Sequence, residues 1–438
     1  MKKNLILSIV ISLFSMQTFA ASFGVFDPRS LAMGGTGVAS GDASNASYYN
    51  PALLSLTHED DDFNLVIPTV TAGYSDPKDL KDALDTYDDA NYETALDNAI
   101  STYNTSSTAA QLITNSATVA TAAQNIKNGV NTLANKALVI NANAGVLLAI
   151  PSKFIAVSVY TAGRAVGGVN LNVTTADNTL LQDYIDTLSC IGNLGGSASV
   201  ADVVACESGT TDVINNSTGK FNNTNTANAL TSTVQIRGAV ITEVGISLAH
   251  KFKSLNDMSL GITPKSLNVN TFDSALGVET GNTDIDKGRK DYTDANVDLG
   301  MAMKLSEKVK VGLVAKNLIS KDYKTILNNT VSVDTQYRAG IAYQNDWVLL
   351  AADADLTKNK GFGFENDTQN VAVGAEFDLY DTFQLRAGYS HNLENKTEAD
   401  DGSPSVGIGL SPFGIHLDLA VATNSAGLQA GLQLGFKF

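Results

Sequence analysis

Residues 427–438 read Gly-Leu-Gln-Ala-Gly-Leu-Gln-Leu-Gly-Phe-Lys-Phe, twelve positions that alternate without a break. Leu428, Ala430, Leu432, Leu434, Phe436 and Phe438 fall on one side; Gly427, Gln429, Gly431, Gln433, Gly435 and Lys437 fall on the other. A period of two puts these sets on opposite faces of a β-strand. Twelve residues exceed the roughly 9–11 that a tilted strand needs to cross a bilayer. An apolar face of that length, closed by an aromatic, fits a lipid-facing barrel strand. Taken alone, the segment also reads as the edge strand of a soluble sandwich.

The pattern recurs upstream. Val371, Val373, Ala375, Phe377 and Leu379 alternate with Gly374, Glu376 and Asp378, and Ile415, Leu417, Leu419 and Val421 oppose His416 and Asp418. Such runs number about fourteen, at 63–75, 138–150, 154–172, 234–251, 258–279, 291–305, 309–320, 332–343, 347–356, 370–379, 383–391, 403–410, 415–423 and 425–438. Connections near 151–153, 252–257, 306–308, 344–346, 380–382 and 411–414 are short, whereas 76–137, 173–233, 280–290, 321–331, 357–369 and 392–402 are long and polar. The exception is the tight turn near Asn424. Short turns on one side and long loops on the other define an all-β transmembrane barrel of about fourteen antiparallel strands, with both termini in the periplasm. Closure leaves no unpaired backbone in lipid. Phe154, Phe252, Tyr343, Trp347, Tyr380, Phe383, Phe413 and Phe438 cluster beside the short turns, where an interfacial girdle belongs.

The N-terminus sets the compartment. Lys2 and Lys3 precede the apolar run Leu5–Phe14, and Thr18-Phe19-Ala20 ends it with a cleavage-type step. Residues 1–20 therefore read as a secretory signal peptide. No later run of about 18 apolar residues supplies a membrane helix. The expected location is the outer membrane, with its lipid and lipopolysaccharide as surroundings. Loss of the two signal lysines takes the formal charge from −16 to −18, which argues against nucleic acid as a partner. Oligomeric state is not specified by the sequence.

Two loops have their own character. In 76–136, Leu80, Ala83, Leu84 and Tyr87, then Tyr92, Ala95, Leu96, Ala99, Ile100 and Tyr103, recur at three and four, predicting two to four short helices over the extracellular mouth. Residues 173–233 form a low-complexity stretch to which we assign little regular structure. It holds Cys190 and Cys206, the only cysteines, expected to pair as a disulfide in an exported protein.

Enzymatic motifs are absent: there is no G-x-S-x-G, H-E-x-x-H, phosphate loop or CxxC. We therefore read no enzyme and no cofactor. Gly34-Gly35-Thr36-Gly37 lacks the βαβ setting of a dinucleotide loop, and His416 opposite Asp418 reads as structural. Glu59-Asp60-Asp61-Asp62 offers oxygen ligands for a divalent cation, but a solvated linker is the simpler reading, and no metal site is assigned. Inward-facing Asp298, Lys304, Lys310, Lys316, Arg338, Asp353, Asp355, Glu376, Asp378, Arg386 and Lys437 carry both signs, as expected of groups that pair across the interior or hold a plug.

The stretch before the first strand runs from Phe23 through Asp27-Pro28-Arg29, Gly34-Gly35-Thr36-Gly37 and Gly41-Asp42-Ala43-Ser44 to Asn50-Pro51-Ala52. With its small residues, its acidic-Ala-Ser step and its Asn-Pro-Ala motif, it resembles the FadL/TodX/PorV group of outer-membrane barrels. Gly261–Lys265 and Val311–Leu318 are similar to the subgroup labelled conjugal-transfer TraF-like. The resemblance implies that residues 21–60 form a hatch inside the barrel 61–438, with Asn50, Pro51 and Ala52 at its periplasmic end, and that small hydrophobic compounds pass. PorV-like members imply instead a non-transporting barrel docking a conjugation or secretion apparatus. The resemblance also makes Gly163, Gly167 and Gly168 candidates for a lateral opening in the third strand; fraying toward the loop is the alternative. Apart from any family, Gly, Ala and Ser in such density suit a plug, and an untidy periplasmic tail is the other reading of 21–57.

Overall fold

The computed structural model describes residues 23–56, 63–152, 154–207, 213–221, 231–253, 257–277, 285–380, 382–394 and 402–437. The signal segment 1–20, the acidic run 59–62 and Phe438 lie outside the described residues. Fourteen antiparallel strands close into one barrel. They are β1 (Asn64–Ser75), β2 (Ala137–Ile150), β3 (Ala156–Asn172), β4 (Thr233–Phe252), β5 (Met258–Gly277), β6 (Arg289–Ser306), β7 (Val309–Lys316), β10 (Gln336–Gln344), β11 (Val348–Asp355), β12 (Asn370–Leu379), β13 (Phe383–Asn392), β14 (Ser403–Leu410), β15 (Ile415–Asn424) and β16 (Gly427–Lys437). The first strand closes the ring, pairing with both β2 and β16.

Alternation decides which side chains meet lipid. Leu428 and Leu432 of β16 are half-exposed on the outer face, whereas Gln433 is buried in the lumen. Phe154, Tyr380 and Phe413 stand out from the short turns, Phe413 almost wholly exposed at 99%. The wall is uneven in height: β4 and β5 run for 20 residues each, β7 and β11 for only 8.

The run expected at 309–320 ends as a strand at Lys316, because the chain then turns into a small hairpin that the alternation pattern does not reveal, β8 (Lys321–Lys324) with β9 (Thr330–Val333). Tyr323, Val331 and Val333 of that hairpin pack on Ile241, Leu267 and Val269 of the tall wall.

The first long loop forms α3 (Leu80–Asp89), α4 (Tyr92–Asn104) and α5 (Ala109–Leu133); the last spans 25 residues, longer than the short helices expected. The second loop corrects the sequence reading outright. It contains α6 (Thr175–Gly192), capped by Thr174, and α7 (Val200–Val204), capped by Ser199 with Asp202. Its helical signal, Tyr184, Leu188 and Ile191, is real but diluted by Asn, Thr and Ser. Tertiary packing completes the helix, since these residues share a core with Tyr103, Leu112 and Val119 of the first loop. Cys190 and Cys206 are joined in a disulfide inside this cap, their Cα atoms 5.6 Å apart.

Candidate functional site

Residues 23–56 lie in the lumen. They comprise α1 (Pro28–Ala32), α2 (Ala46–Tyr49) and a 3-10 turn, Pro51–Ser55. Asp27 caps α1 by accepting from Ser30 N (3.0 Å), with Pro28 at the first helical position. The chain then reverses at Gly34 and Gly35, with φ of 71° and 88°. A Cβ on Gly34 would stand 2.6 Å from the carbonyl oxygen of Tyr389, so both conformation and space require glycine. The Gly-rich run thus serves a backbone turn, not a nucleotide.

Polar groups of the wall grip this segment. Arg29 makes a two-point ion pair with Glu376 (2.7 and 2.9 Å), and Glu376 also accepts from Arg386. Burial alone would lower the Arg29 pKa, but Glu376 and Asp42 raise it well above its ordinary value, so the guanidinium stays charged. Asp353 accepts from Gly37 N and Val38 N at 2.8 and 3.0 Å, while Arg338 donates to the Gly35 carbonyl at 2.9 Å and pairs with Asp355. Ser405 donates to the Ala32 carbonyl and accepts from Gly34 N. Lys316 donates to the Tyr48 carbonyl at 2.8 Å, and its ammonium faces the rings of Phe23 and Phe26. Beside it, Lys265 is fully buried between Glu243 (3.1 Å) and Asp298 (3.0 Å).

Asn50, Pro51 and Ala52 sit together against β5 and β6. The Asn50 amide donates to the Val38 and Met301 carbonyls (2.9 and 3.1 Å), and its Oδ1 accepts from Ala52 N. Ser259, the second residue of β5, donates to the Ala52 carbonyl. The β3 glycines behave otherwise than the lateral-opening reading requires. Register with β2 and with β4 is unbroken through 160–168, so Gly163, Gly167 and Gly168 are ordinary ladder positions and no opening lies there. Missing side chains do not remove the backbone N–H and C=O groups that make the ladder. The bulge of this sector is instead in β1, where register shifts between Val66 and Thr69 around a cis Ile67–Pro68 bond.

At the rim that carries the short turns, Ser411 Oγ is hydrogen-bonded to His416 Nδ1 at 2.6 Å, and His416 Nε2 stands 2.5 Å from Asp418 Oδ2. Asp418 is also paired with Arg386. These contacts tie the 411–414 turn to β13 and β15. Above the N-terminal segment lies a cavity of about 40 Å³, lined by Gly24, Phe26, Ala162, Arg164, Ile241, Glu243 and Lys316 among others. That is room for about three water molecules at roughly 10–15 Å³ each. Among the described residues no cluster suited to a metal ion occurs.

Fold and lumen together define the class: a transmembrane β-barrel whose bore is filled by its own N-terminal segment. The chain belongs to the family described as F plasmid transfer operon, TraF, protein, which it matches over residues 47–355. No curated protein sequence matches it. Among solved structures it is similar to the Ralstonia pickettii toluene transporter TbuX, with 13% identity and a TM-score of 0.48 over 97% of this chain and 100% of that one. It is likewise similar to a Pseudomonas aeruginosa FadL homologue (11%, TM-score 0.49, covering 96% and 99%) and to the Pseudomonas putida toluene transporter TodX (12%, 0.45, 96% and 99%). Likenesses this distant carry no substrate to this chain.

Proposed function

We propose that the protein is an outer-membrane barrel, closed at rest, that admits small hydrophobic compounds when a hatch formed by residues 21–60 shifts within the lumen. The observation that carries this reading is the mode of attachment. Along its described length the hatch is held to the wall by hydrogen bonds, ion pairs and ring contacts, the disulfide lying elsewhere. A closure made that way is removable. Phe23, Phe26, Tyr48, Tyr49 and Tyr160 form an aromatic body beside the cavity, suited to apolar solutes once the hatch moves. Export through residues 1–20 would place the barrel among lipid and lipopolysaccharide, and no chemical step is assigned to it.

A second reading is favoured by a different observation. The lumen is crowded with buried charge, and the cavity above residues 23–56 is small and lined by Arg164, Glu243 and Lys316 among others. A permanently closed barrel that docks a transfer or secretion apparatus through its rim or cap would look the same at rest. Uptake of a hydrophobic fluorescent probe by proteoliposomes separates the two. Transport requires the intact protein to exceed protein-free vesicles. If intact protein is as tight as lipid alone, and only deletion of 23–56 makes it leak, the docking reading leads.

A further inference from the structure

Buried polar atoms without a hydrogen-bond partner occur all round the lumen wall, but they differ in kind. On strands β4 round to β15 they are Arg237 Nε, Asp298 Oδ2, Arg338 Nε, Asp353 Oδ1, His391 Nδ1 and Asp418 Oδ2, and all but His391 belong to side chains held in ion pairs. On β16, β1, β2 and β3, by contrast, Gln433 Oε1, Asn64 Nδ2, Asn143 Oδ1 and Ser158 Oγ are buried with no hydrogen-bond partner among the described residues. The hatch presents the Tyr48 hydroxyl, equally buried and equally without a partner, to the same sector.

Strand register arranges these atoms in levels. Asn64 and Ser158 both neighbour Ala149, on its two sides, near the periplasmic end. Gln433 and Gly145 both neighbour Thr69. A Cβ on Gly145 would stand 2.5 Å from the Tyr48 hydroxyl, so that hydroxyl lies at this middle level. Asn143 is two residues higher, paired with Arg164, which lines the upper cavity. From Ala149 to Asn143 the line climbs six residues of strand, about 20 Å.

Deeply buried polar atoms are satisfied by protein or by ordered water. Here the described residues supply these atoms with no hydrogen-bond partner, the atoms are successive along one line, and the line leads into a polar cavity. We infer that the seam between the hatch and strands β16–β3 is hydrated from the periplasmic end to the upper cavity. It is the route by which water and small neutral polar solutes pass the hatch, with the Tyr48 hydroxyl at its midpoint. This does not depend on which compound, if any, the barrel transports.

Because both native cysteines are bonded to each other, a single introduced cysteine is the only thiol. Ser158→Cys and Asn143→Cys would be placed in the seam. Ser405→Cys serves as reference, being just as buried but on the wall that grips Ala32 and Gly34. The full-length proteins in liposomes are treated with a small water-soluble methanethiosulfonate. Heat-modifiable migration first confirms folding, and Gln433→Cys replaces any seam variant that fails. The seam thiols should react at least tenfold faster than the reference. Seam thiols as slow as Ser405→Cys would overturn the inference. So would equal and rapid reaction at all sites, which would mean that the hatch leaves the lumen as a whole.

Discussion

Arg29 and Glu376 stand 347 positions apart in the chain and meet in a two-point ion pair at 2.7 and 2.9 Å in the barrel interior. One belongs to α1 of the N-terminal segment and the other to β12 of the wall, so the pair ties that segment to the barrel. Removing one partner of a buried pair costs about 3–5 kcal/mol when the remaining charge is left unpaired, and less here because Arg386 still donates to Glu376. Arg29→Ala should therefore loosen the hatch, while Arg386 keeps Glu376 partly neutralised and the strand ladder stays intact. The expected outcome is raised conductance in planar bilayers with unchanged heat-modifiable migration. Conductance equal to the parent protein would show that this pair does not hold the plug.

Asn50 satisfies three backbone groups with one side chain, the Val38 and Met301 carbonyls and Ala52 N. Asn50→Ala should cost about 1–3 kcal/mol locally. Protease added from the periplasmic side should then cut within 23–56 sooner than in the parent, with strands β1–β16 protected. Equal digestion rates would remove Asn50 from the list of hatch anchors.

The Cys190–Cys206 disulfide closes a loop whose ends are 16 residues apart, worth roughly 3 kcal/mol in the chain-entropy account. Its effect should be confined to the helical cap, where Cys206 packs with Leu188, Ile191 and Val203. Reduction, or Cys190→Ser with Cys206→Ser, should speed hydrogen exchange in α6 and α7 and leave the strands unaltered. Faster exchange in β3 and β4 as well would show that the cap and the wall unfold together.

Asp177 ties the two ends of the second loop, accepting from Thr231 N at 2.8 Å and Ser232 N at 2.7 Å. Burial pushes its pKa up, but the hydrogen bonds from Ser232 and Thr231 outweigh that and hold it below the ordinary carboxylate range. A lowered pKa contributes stability that is fully present above the unfolded value of about 3.9 and lost as pH falls through the folded value. The cap should accordingly keep its protection down to about pH 4 and lose part of it below, whereas Asp177→Asn should be looser throughout and flatter with pH. Identical pH profiles for the two proteins, read by hydrogen exchange in α6, would contradict this tie.

Much of the barrel was legible in the chain because alternation is a local property. Lipid outside and a packed lumen inside force a period of two on every spanning strand, and Val371–Leu379 and Gly427–Lys437 show it with no partner in view. Turn lengths gave the order and the sidedness. The helices of 173–233 were not legible: Leu188 and Ile191 become a helical face only when α5 is there to receive them. The β3 glycines misled for a related reason, since a glycine-rich run looks weak in isolation but is held by two long neighbours, β2 and β4.

The sequence by itself determined the set of barrel strands, the closed antiparallel topology and the acidic, cysteine-poor character of the chain. It also marked 23–52 as a segment able to fit inside one. Only the tertiary structure decided which wall residues hold that segment. Arg29 with Glu376, Gly37 with Asp353 and Asn50 with Met301 are contacts between positions hundreds of residues apart. Barrel closure brings them within hydrogen-bond reach, and hydrogen bonds act over about 3 Å with no trace in local periodicity.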